Sequence, residues 1–359
     1  MSRKAPIIAT FSIVTTLWAC DQAASRNDKV QNDANAFVWE TVERVTSAHL
    51  RGLDATTDGI IWASGTDGEV LRSTDSGDTW TSHAVPNCIG VNFRDIEGFD
   101  ASHAAVMSSG NGVKIFWTND GGKKWSLSYE DTNRRIFFDG MDFYGVNGMA
   151  YGDAINGRMT LLTSNDSGQT WVAIDSFSAP QMSKGEAGFA ASGTGIVTTK
   201  SKSFIATGGS ASRVLSFKDS TWNSASTPLR SAPSAGIFSM AFSNNSIGII
   251  VGGDYIDSTN STRNAAYTTD GGLTWHLPYP TPAGYRSCVA FSDRETVAIA
   301  TGRSGTDISY DAGKSWQTLS DQGFFSCVIV GDRIIGVGRN GKMGCATLPS
   351  APAQKQLAD

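Results

Sequence analysis

The sequence predicts an all-β fold, a seven-bladed β-propeller with four-stranded blades, and three observations carry this prediction. An acidic octet ending in tryptophan recurs, and each unit repeats the same order of short apolar runs. The tryptophans are spaced by 41, 45, 46, 51, 53 and 41 residues, at Trp39, Trp80, Trp125, Trp171, Trp222, Trp275 and Trp316. A period of about 40 to 50 residues with several apolar runs per unit is typical of propeller blades.

Each unit begins with an inner-strand segment such as "LRGLDAT" (50–56), which is followed by an apolar strand ending in glycine such as "IIWASG" (60–65). A third strand, the acidic turn and the tryptophan strand complete the unit. The fourth unit departs from this pattern. Its inner strand is expected at 185–191, "GEAGFAA", and its turn, "SFKDSTW" (216–222), is one residue short and lacks the glycine.

The two ends of the repeat region complete each other. Residues 317–359 contain an inner strand, a second strand and "KMGCATL" (342–348), but no acidic turn and no tryptophan. The segment "FVWETV" (37–42) is a final strand with no blade before it. We therefore expect the N-terminal strand to close the last blade, which removes an exposed sheet edge. The prediction is one propeller over 37–348 and a disordered tail at 349–359.

The acidic octet is expected to shape a turn rather than to do chemistry. Its Asp and Ser/Thr side chains can accept backbone N–H bonds across a hairpin, glycine can adopt positive φ, and the Trp ring can pack on the following strand. A catalytic acid–base pair is needed once, not five times, and the glutamate of a calcium-binding EF-hand loop is missing. The structural residues predicted in the five copies are Asp75, Trp80, Asp120, Trp125, Asp166, Trp171, Asp270, Trp275, Asp311 and Trp316.

The N-terminal segment is predicted to be an export signal. Arg3 and Lys4 precede a mostly apolar segment, 5–19, that is too short to span a membrane, and the segment ends at Cys20 in "LWAC". This ending resembles a bacterial lipobox, in which the cysteine is lipidated; an ordinary signal peptide cleaved nearby is the alternative. We expect a lipoprotein signal at 1–20, a flexible tether at 21–36, and a lipid-anchored, extracytoplasmic protein of the bacterial cell envelope.

Composition limits the partners and cofactors. The net charge is −5 and no long Lys/Arg run occurs, so nucleic acid is not expected as a partner. There is no C-x-x-C, and the four histidines are scattered, so no metal or other cofactor is predicted. Cys288 and Cys327 occupy similar places in successive repeats. A bridge between them is one alternative, and buried free thiols at these positions and at Cys88 and Cys345 are the other. We expect a monomer.

Candidate site residues cluster at one mouth of the central channel, where propeller ligands usually bind. The starts of the inner strands and the loops after the second strands supply them. The candidate binding residues are Arg51, Arg94, Asp95, Arg286 and Ser287. The candidates for acid–base or nucleophilic chemistry are Asp139, Glu186, Asp153, Asp254 and Tyr255. The alternative is that these charges form ion pairs that join neighbouring blades.

The octets fit S/T-x-D-x-G-x-x-W and resemble the Asp-box, or sialidase-type BNR, repeat across 37–348. Turns such as "TTDGGLTW" (268–275) most resemble those of the photosystem II assembly-factor-like propellers of bacteria. This resemblance implies a non-enzymatic scaffold that binds a protein or a glycan. It also implies that Arg51, Arg94 and Arg286 are among the contacts.

The resemblance to sialidases implies the alternative, a glycoside hydrolase or lyase acting on an anionic glycan at the channel mouth. In that class arginines hold a substrate carboxylate, a Tyr–Glu pair supplies the nucleophile and an aspartate is the general acid. The sequence departs from the class, because it lacks the Arg-Ile-Pro motif and counts seven blades rather than six. A binding or assembly propeller is therefore the principal prediction.

Overall fold

A computed structural model describes residues 37–110 and 112–351. Within this range the chain forms seven antiparallel sheets and three 3-10 turns, at Thr66–Gly68, Ser176–Ser178 and Arg339–Gly341. The predicted seven-bladed β-propeller is confirmed. The predicted leader, Cys20, the tether and the tail beyond 351 lie outside the described residues. None of the described helices has the length and hydrophobicity needed to cross a membrane.

Blades 1 to 3 each contain four strands in chain order, with the first strand innermost. The strands of blade 1 are Leu50–Ala55, Ile61–Gly65, Val70–Ser73 and Thr81–Ser82. Those of blade 2 are Phe93–Gly98, Ala104–Ser108, Val113–Thr118 and Ser126–Asp131. Those of blade 3 are Phe138–Tyr144, Asn147–Ile155, Arg158–Ser164 and Val172–Ala173.

Blades 4 to 6 follow the same order. Blade 4 contains Ile196–Thr198, Ser203–Ala206, Arg213–Lys218 and Thr221–Ser226. Blade 5 contains Ala235–Phe242, Gly248–Asp254 and Ala265–Thr268, and its outer position is held by a single bridge between Tyr267 and His276. Blade 6 contains Cys288–Phe291, Ala298–Gly302, Gly305–Ser309 and Gln317–Ser320.

Blade 7 closes the ring with the N-terminal strand, as the sequence predicts. It contains Ser326–Val330, Arg333–Val337, Met343–Thr347 and the two-residue strand Glu40–Thr41. Glu40 pairs with Cys345 and Thr41 with Gly344. The Trp39 ring packs 4.5 Å from that of Phe324. The ring is therefore closed by a short ladder and by an aromatic contact.

The hydrophobic core lies between neighbouring blades. Second strands such as Ile61–Gly65 are buried along their whole length, because a blade covers each of their faces. Between blades 7 and 1, for example, Leu53, Ile61 and Leu71 pack against Ile335 and Val337. Such strands carry continuous apolar runs rather than an alternating pattern.

The five acidic turns share one hydrogen-bond pattern. In the first copy, Ser73 Oγ accepts the Gly77 N–H at 2.9 Å and Asp75 Oδ1 accepts the Thr79 N–H at 2.9 Å. Gly77 has φ +88°, which favours glycine. The Trp80 indole donates to the Gly77 carbonyl at 3.1 Å. The equivalent Ser/Thr and Asp bonds recur in the other four copies. These aspartates therefore hold a hairpin.

The expected inner strand of the fourth unit is wrong. Residues 185–191 do not form it; the innermost strand of blade 4 is Ile196–Thr198. Glu186 and Ala187 instead pair with Gly209 and Gly208, in the sheet that contains blade 5. Before the chain enters blade 4 at Ile196, residues of the intervening segment hydrogen bond to blades 3, 5 and 6.

Candidate functional site

Residues 188–195, "GFAASGTG", cross the channel mouth, and we call them the plug. Ser192 Oγ donates to the carbonyl of Ser287 in blade 6 at 2.7 Å. The hydroxyls of Thr194 and Ser239, in blade 5, are 2.6 Å apart. Asp153 of blade 3 also accepts the Gly188 N–H at 3.2 Å, so these contacts tie the plug to blades 3, 5 and 6.

Acidic side chains of blades 2 and 3 lie directly against the plug. A Cβ atom at Gly193 would lie 2.0 Å from Asp95 Oδ1, and one at Gly188 would lie 2.2 Å from Asp139 Oδ2. Gly193 also has φ +80°, a conformation that strains other residues. The close approach and the backbone conformation together explain why this segment is rich in glycine.

Two arginines meet beside the plug. Arg94 Nη1 donates to the Ala190 carbonyl at 2.8 Å, and Arg51 Nη1 donates to the Ala191 carbonyl at 3.3 Å. The Arg51 guanidinium also lies over the ring of Phe325, 4.4 Å from its centre. Both side chains are half-buried. Burial, and then the positive charge of Arg94, lower the pKa of Arg51 to about 10.

Neither guanidinium forms a salt bridge with a carboxylate of the described residues. Each makes one hydrogen bond to a described protein atom, although a guanidinium has five N–H donors. Arg94 also lines a surface cleft of about 430 Å³ with Lys114, Arg134 and Phe137. The same cleft carries Glu130 and Asp131, and Glu130 pairs with Lys114 at 3.3 Å. The donors that the site offers to an anionic group are therefore chiefly those of Arg51 and Arg94.

An aromatic wall adjoins the arginine pair. Phe189 of the plug stacks on Phe238 with ring centres 4.1 Å apart, and Tyr285 meets Phe238 edge-on at 4.8 Å. Tyr255 lies 6.2 Å from Phe238 and its side chain is partly exposed. Burial raises the pKa of Tyr285 above its usual range. The mouth therefore combines positive charge with an apolar face.

The other three predicted binding residues are buried and engaged in contacts within or between blades. Arg286 is fully buried, with its Nε 2.5 Å from Asp307 Oδ2. Ser287 Oγ donates to the Phe325 carbonyl at 2.7 Å, which links blade 6 to the start of blade 7. Asp95 is buried in blade 2, and its Oδ2 accepts the N–H of Met141 in blade 3 at 2.7 Å.

Two of the candidate catalytic carboxylates are engaged by arginines. Glu186 is buried and receives the Arg213 guanidinium, with Nε–Oε1 at 2.6 Å and Nη2–Oε2 at 3.0 Å. Asp254 lies 3.8 Å from Arg230 and accepts the Ile256 N–H at 2.9 Å. Burial alone would raise the pKa of Asp254, but its hydrogen bonds and the Arg230 charge lower it overall.

Asp139 and Asp153 remain without a cationic partner among the described residues. Asp139 is buried, and its Oδ2 has no hydrogen-bond partner there. Burial, and then the charge of Asp153, raise the pKa of Asp139 well above its usual range, against the opposing effect of Arg94. Burial also raises the pKa of Asp153. Both carboxyl groups therefore take up a proton more readily than a solvent-exposed aspartate.

The repeat itself identifies the class of fold. A family model described as the BNR/Asp-box repeat matches residues 266–277, which include the fourth acidic octet. The same hydrogen-bonded turn is present in five blades. The chain is an Asp-box β-propeller.

This propeller is similar over part of its length to two curated relatives. It is 28% identical over 128 residues to the photosystem II assembly lipoprotein Ycf48 of Prochlorococcus marinus (strain MIT 9313), covering 34% of this chain and 38% of that protein. It is 25% identical over 121 residues to the Ycf48 of Synechococcus sp. (strain CC9605), covering 33% of this chain and 36% of that protein. The matched region thus spans little more than a third of each relative.

Solved structures match the propeller as a whole. One is described as YCF48 bound to D1 peptide, with 14% identity, a TM-score of 0.62, and coverage of 89% of this chain and 96% of that one. YCF48 from Cyanidioschyzon merolae gives 18% identity, a TM-score of 0.59, and coverage of 87% and 99%. At these identities the matches show a shared fold.

Sequence reasoning missed a second set of carboxylates in this Asp-box propeller, on the inner strands of blades 1 to 3. Asp54, Glu97 and Asp142 each follow a buried apolar residue in their inner strand. That shared position was the signal that could have found them. Burial, and then the charges of Asp54 and Asp142, raise the pKa of Glu97 well above its usual range. No group of three or more Asp, Glu, His or Cys side chains in residues 37–110 and 112–351 is arranged to hold a metal ion.

Proposed function

We propose that this Asp-box propeller is a non-enzymatic binding and assembly module for a protein partner. In this proposal, acidic groups of the partner dock at Arg51 and Arg94. The observation that carries it is the pair of half-buried guanidiniums at the mouth, unpaired with any described carboxylate and with one hydrogen bond each. Arginine binds carboxylates through two parallel hydrogen bonds, and partial burial strengthens such contacts.

The surroundings of the arginine pair support a peptide-like ligand. The exposed edge of Tyr255, next to Phe238, offers an apolar contact beside the positive charge. A propeller of this shape is described with a peptide bound, YCF48 with the D1 peptide. Protein partners present carboxylates together with apolar side chains, which suits this combination.

The proposed location is the extracytoplasmic face of a bacterial membrane, where the protein acts as a lipid-anchored monomer. The "LWAC" sequence that ends at Cys20 supports an anchor, and the two matched relatives are described as lipoproteins. Replacing Cys20 by serine is expected to move the protein from the membrane fraction to the soluble fraction. Cys88→Ser is the matched control and leaves the protein in the membrane. Equal distribution of the two variants would overturn the anchor.

An anionic glycan is the second candidate ligand, because arginines also bind sugar carboxylates. Hydrolysis or lysis would need Asp139 and Asp153, since Glu186 and Asp254 are already engaged by arginines. The raised pKa of Asp139 favours a general-acid role. The plug lies against both carboxyl groups, so this use requires it to move.

A binding experiment separates these possibilities. The full chain with Cys20→Ser is tested by calorimetry against acidic peptides, neutral peptides and anionic oligosaccharides. We expect binding to acidic peptides that weakens at least tenfold in the Arg51→Ala/Arg94→Ala variant, because each charge-assisted bond contributes about 1.5–3 kcal/mol. The control is Arg294→Ala, an arginine on the outer surface that pairs with Asp332. Binding of oligosaccharides alone would favour the glycan alternative, and acidic-peptide binding that the double variant leaves unchanged would overturn the proposal.

A further inference from the structure

Two cysteines meet on the inner strands of neighbouring blades. Cys288 begins the inner strand of blade 6, and Cys327 is the second residue of that of blade 7. The Cys327 N–H donates to Cys288 Sγ at 3.4 Å, and the Cys288 thiol donates to the Cys327 carbonyl at 3.4 Å. Both side chains are buried and both sulfurs are thiols in this structure.

A structural hydrogen bond explains only one of these cysteines. At two other contacts between neighbouring inner strands, a side chain of one strand also accepts a backbone N–H of the next. Ser239 Oγ accepts the Val289 N–H at 2.9 Å, and Asp95 Oδ2 accepts the Met141 N–H at 2.7 Å. Position 288 therefore requires an acceptor, which serine would supply. The bond uses only the backbone of residue 327, so it places no demand on that side chain. The Cys327 side chain also packs in the apolar core between blades 6 and 7, a role that another small apolar side chain would fill equally well, so packing does not require a sulfur there.

The surroundings of Cys288 favour its thiolate form. In addition to the Cys327 N–H, Ser326 Oγ lies 3.7 Å and Thr194 Oγ1 3.9 Å from its sulfur, each placed to donate. Hydrogen bonding from Cys327 is the largest of the causes that lower the pKa of Cys288 to about 6. The same contact raises the pKa of Cys327 well above its usual range. Since the thiolate is the reactive form of cysteine, Cys288 is the nucleophile of the pair.

We propose that Cys288 and Cys327 form a disulfide that joins blades 6 and 7. It forms by exchange with an external disulfide, such as the active-site disulfide of a thiol–disulfide oxidoreductase. The Cys288 thiolate attacks one sulfur of the oxidant, whose S–S bond breaks and releases a thiolate. Cys327 then loses its proton to water and attacks Cys288 Sγ, which releases the second thiolate. Two electrons pass from the cysteines to the oxidant, which ends as two thiols. The occurrence of this reaction in the cell rests on the proposed export.

The position of the two cysteines indicates that the disulfide stabilises the closure of the ring and that it forms during folding. Blade 7 is closed by only two residue pairs, so a covalent bond at its inner strand strengthens the joint next to that closure. Thr194 of the plug lies on Cys288, and both sulfurs are buried. The disulfide therefore forms before the plug settles, and the folded chain shields it from reductants.

The test uses the full chain with Cys20→Ser, refolded from denaturant in a buffer of reduced and oxidised glutathione. Free thiols are then blocked with N-ethylmaleimide, and the protein is digested with trypsin. We expect a linked pair of the peptides 287–294 and 315–333. The oxidised protein should melt higher than the reduced protein, on the order of 5 °C, because the bond restricts the unfolded chain.

Three variants make the outcome decisive. Cys288→Ser keeps an acceptor for the Cys327 N–H, so it should fold, lose the linked peptide and lose the redox-dependent melting shift. Cys327→Ser should behave in the same way. The matched control, Cys88→Ser/Cys345→Ser, should retain both signals. Folded wild-type chain with positions 288 and 327 both alkylated, or a linkage that involves Cys88 or Cys345, would overturn the proposal. Thiol trapping in the native cell tests the export separately, since a chain that oxidises on refolding but stays reduced in the cell contradicts only the location.

Discussion

The guanidinium of Arg286 and the carboxylate of Asp307 form an ion pair that is fully buried within blade 6. Arg286 Nη1 also donates to the Tyr285 carbonyl at 2.9 Å, and Asp307 Oδ1 accepts from Thr318 Oγ1 at 2.9 Å. Neither charge is accessible to water. Each buried charge is therefore stabilised chiefly by the opposite charge of its partner.

Replacing Arg286 by alanine is expected to lower the free energy of unfolding by about 3–5 kcal/mol, because Asp307 is left buried without its cation. Urea denaturation at pH 7 measures the loss. Arg294→Ala is the matched control, since its pair with Asp332 is exposed and should contribute about 0–1 kcal/mol. Similar losses in the two variants would contradict a structural role for the buried pair.

Asp75 makes the first acidic turn sensitive to acid. Its hydrogen bonds, that from the Thr79 hydroxyl above all, lower the pKa of Asp75 to about 2. A carboxyl whose pKa is lower in the folded chain stabilises it above about pH 4, and this contribution is lost as the pH falls towards 2. Asp75→Asn should therefore be less stable at pH 7, by less than about 1 kcal/mol because the site is exposed, and the difference should shrink at pH 3.

Urea titrations of both chains at pH 7 and pH 3 provide this measurement. Asp219→Asn serves as the control, because Asp219 is an exposed residue in the outer hairpin of blade 4, which lacks the Asp-box glycine. A stability difference for Asp75→Asn that stays constant between the two pH values would argue against the hydrogen-bonded carboxylate as its cause.

Glu97 should have the opposite pH dependence. Its pKa is raised by burial, and then by the charges of Asp54 and Asp142, so the folded chain holds a proton that the unfolded chain releases. The stability associated with it is complete below about pH 4 and falls as the pH rises through the folded pKa. Burial raises the pKa of the neighbouring Asp142 to about 8, so the loss of stability that belongs to Asp142 extends into the neutral range.

Glu97→Gln is therefore expected to raise the melting temperature at pH 8 and to change it little at pH 4. Thermal unfolding at both pH values checks this. Glu130→Gln, at a half-exposed position paired with Lys114, is the control and should show no such gain. An equal gain for Glu97→Gln at both pH values would show that its charge is not responsible.

The acidic turns were predictable because their hydrogen bonds join residues close together in sequence. Ring closure was predictable because the strands of each repeat unit can be counted. Ser73, Asp75 and Gly77 form one turn with their own atoms, so a sequence motif contains the whole interaction. The closing strand followed from an incomplete unit at each end of the repeat region. Both inferences needed only the order of short segments along the chain.

Two features could not be predicted in this way: the plug, and the difference between Arg51 and Arg94, which lie at the mouth, and the buried Arg286. Arg51 and Ala191, which hydrogen bond across the mouth, are 140 residues apart, and no periodic pattern relates them. In sequence, Arg51, Arg94 and Arg286 occupy equivalent positions at the starts of inner strands. Only Arg286 has a carboxylate, Asp307, close enough to bury its charge, and that contact depends on how blade 6 packs.

Gly193 allows the plug to enter the mouth, so Gly193→Ala should displace it. The new Cβ would lie 2.0 Å from Asp95 Oδ1, at a residue with φ +80°. Gly157→Ala is a matched control because Gly157 has φ +78° and no atom within 4 Å of an added Cβ. The control should lose about 1 kcal/mol through backbone strain, and Gly193→Ala should lose more. Hydrogen exchange should also show faster exchange in residues 188–195 of Gly193→Ala only; equal effects in the two variants would mean that strain, not contact with Asp95, governs this position.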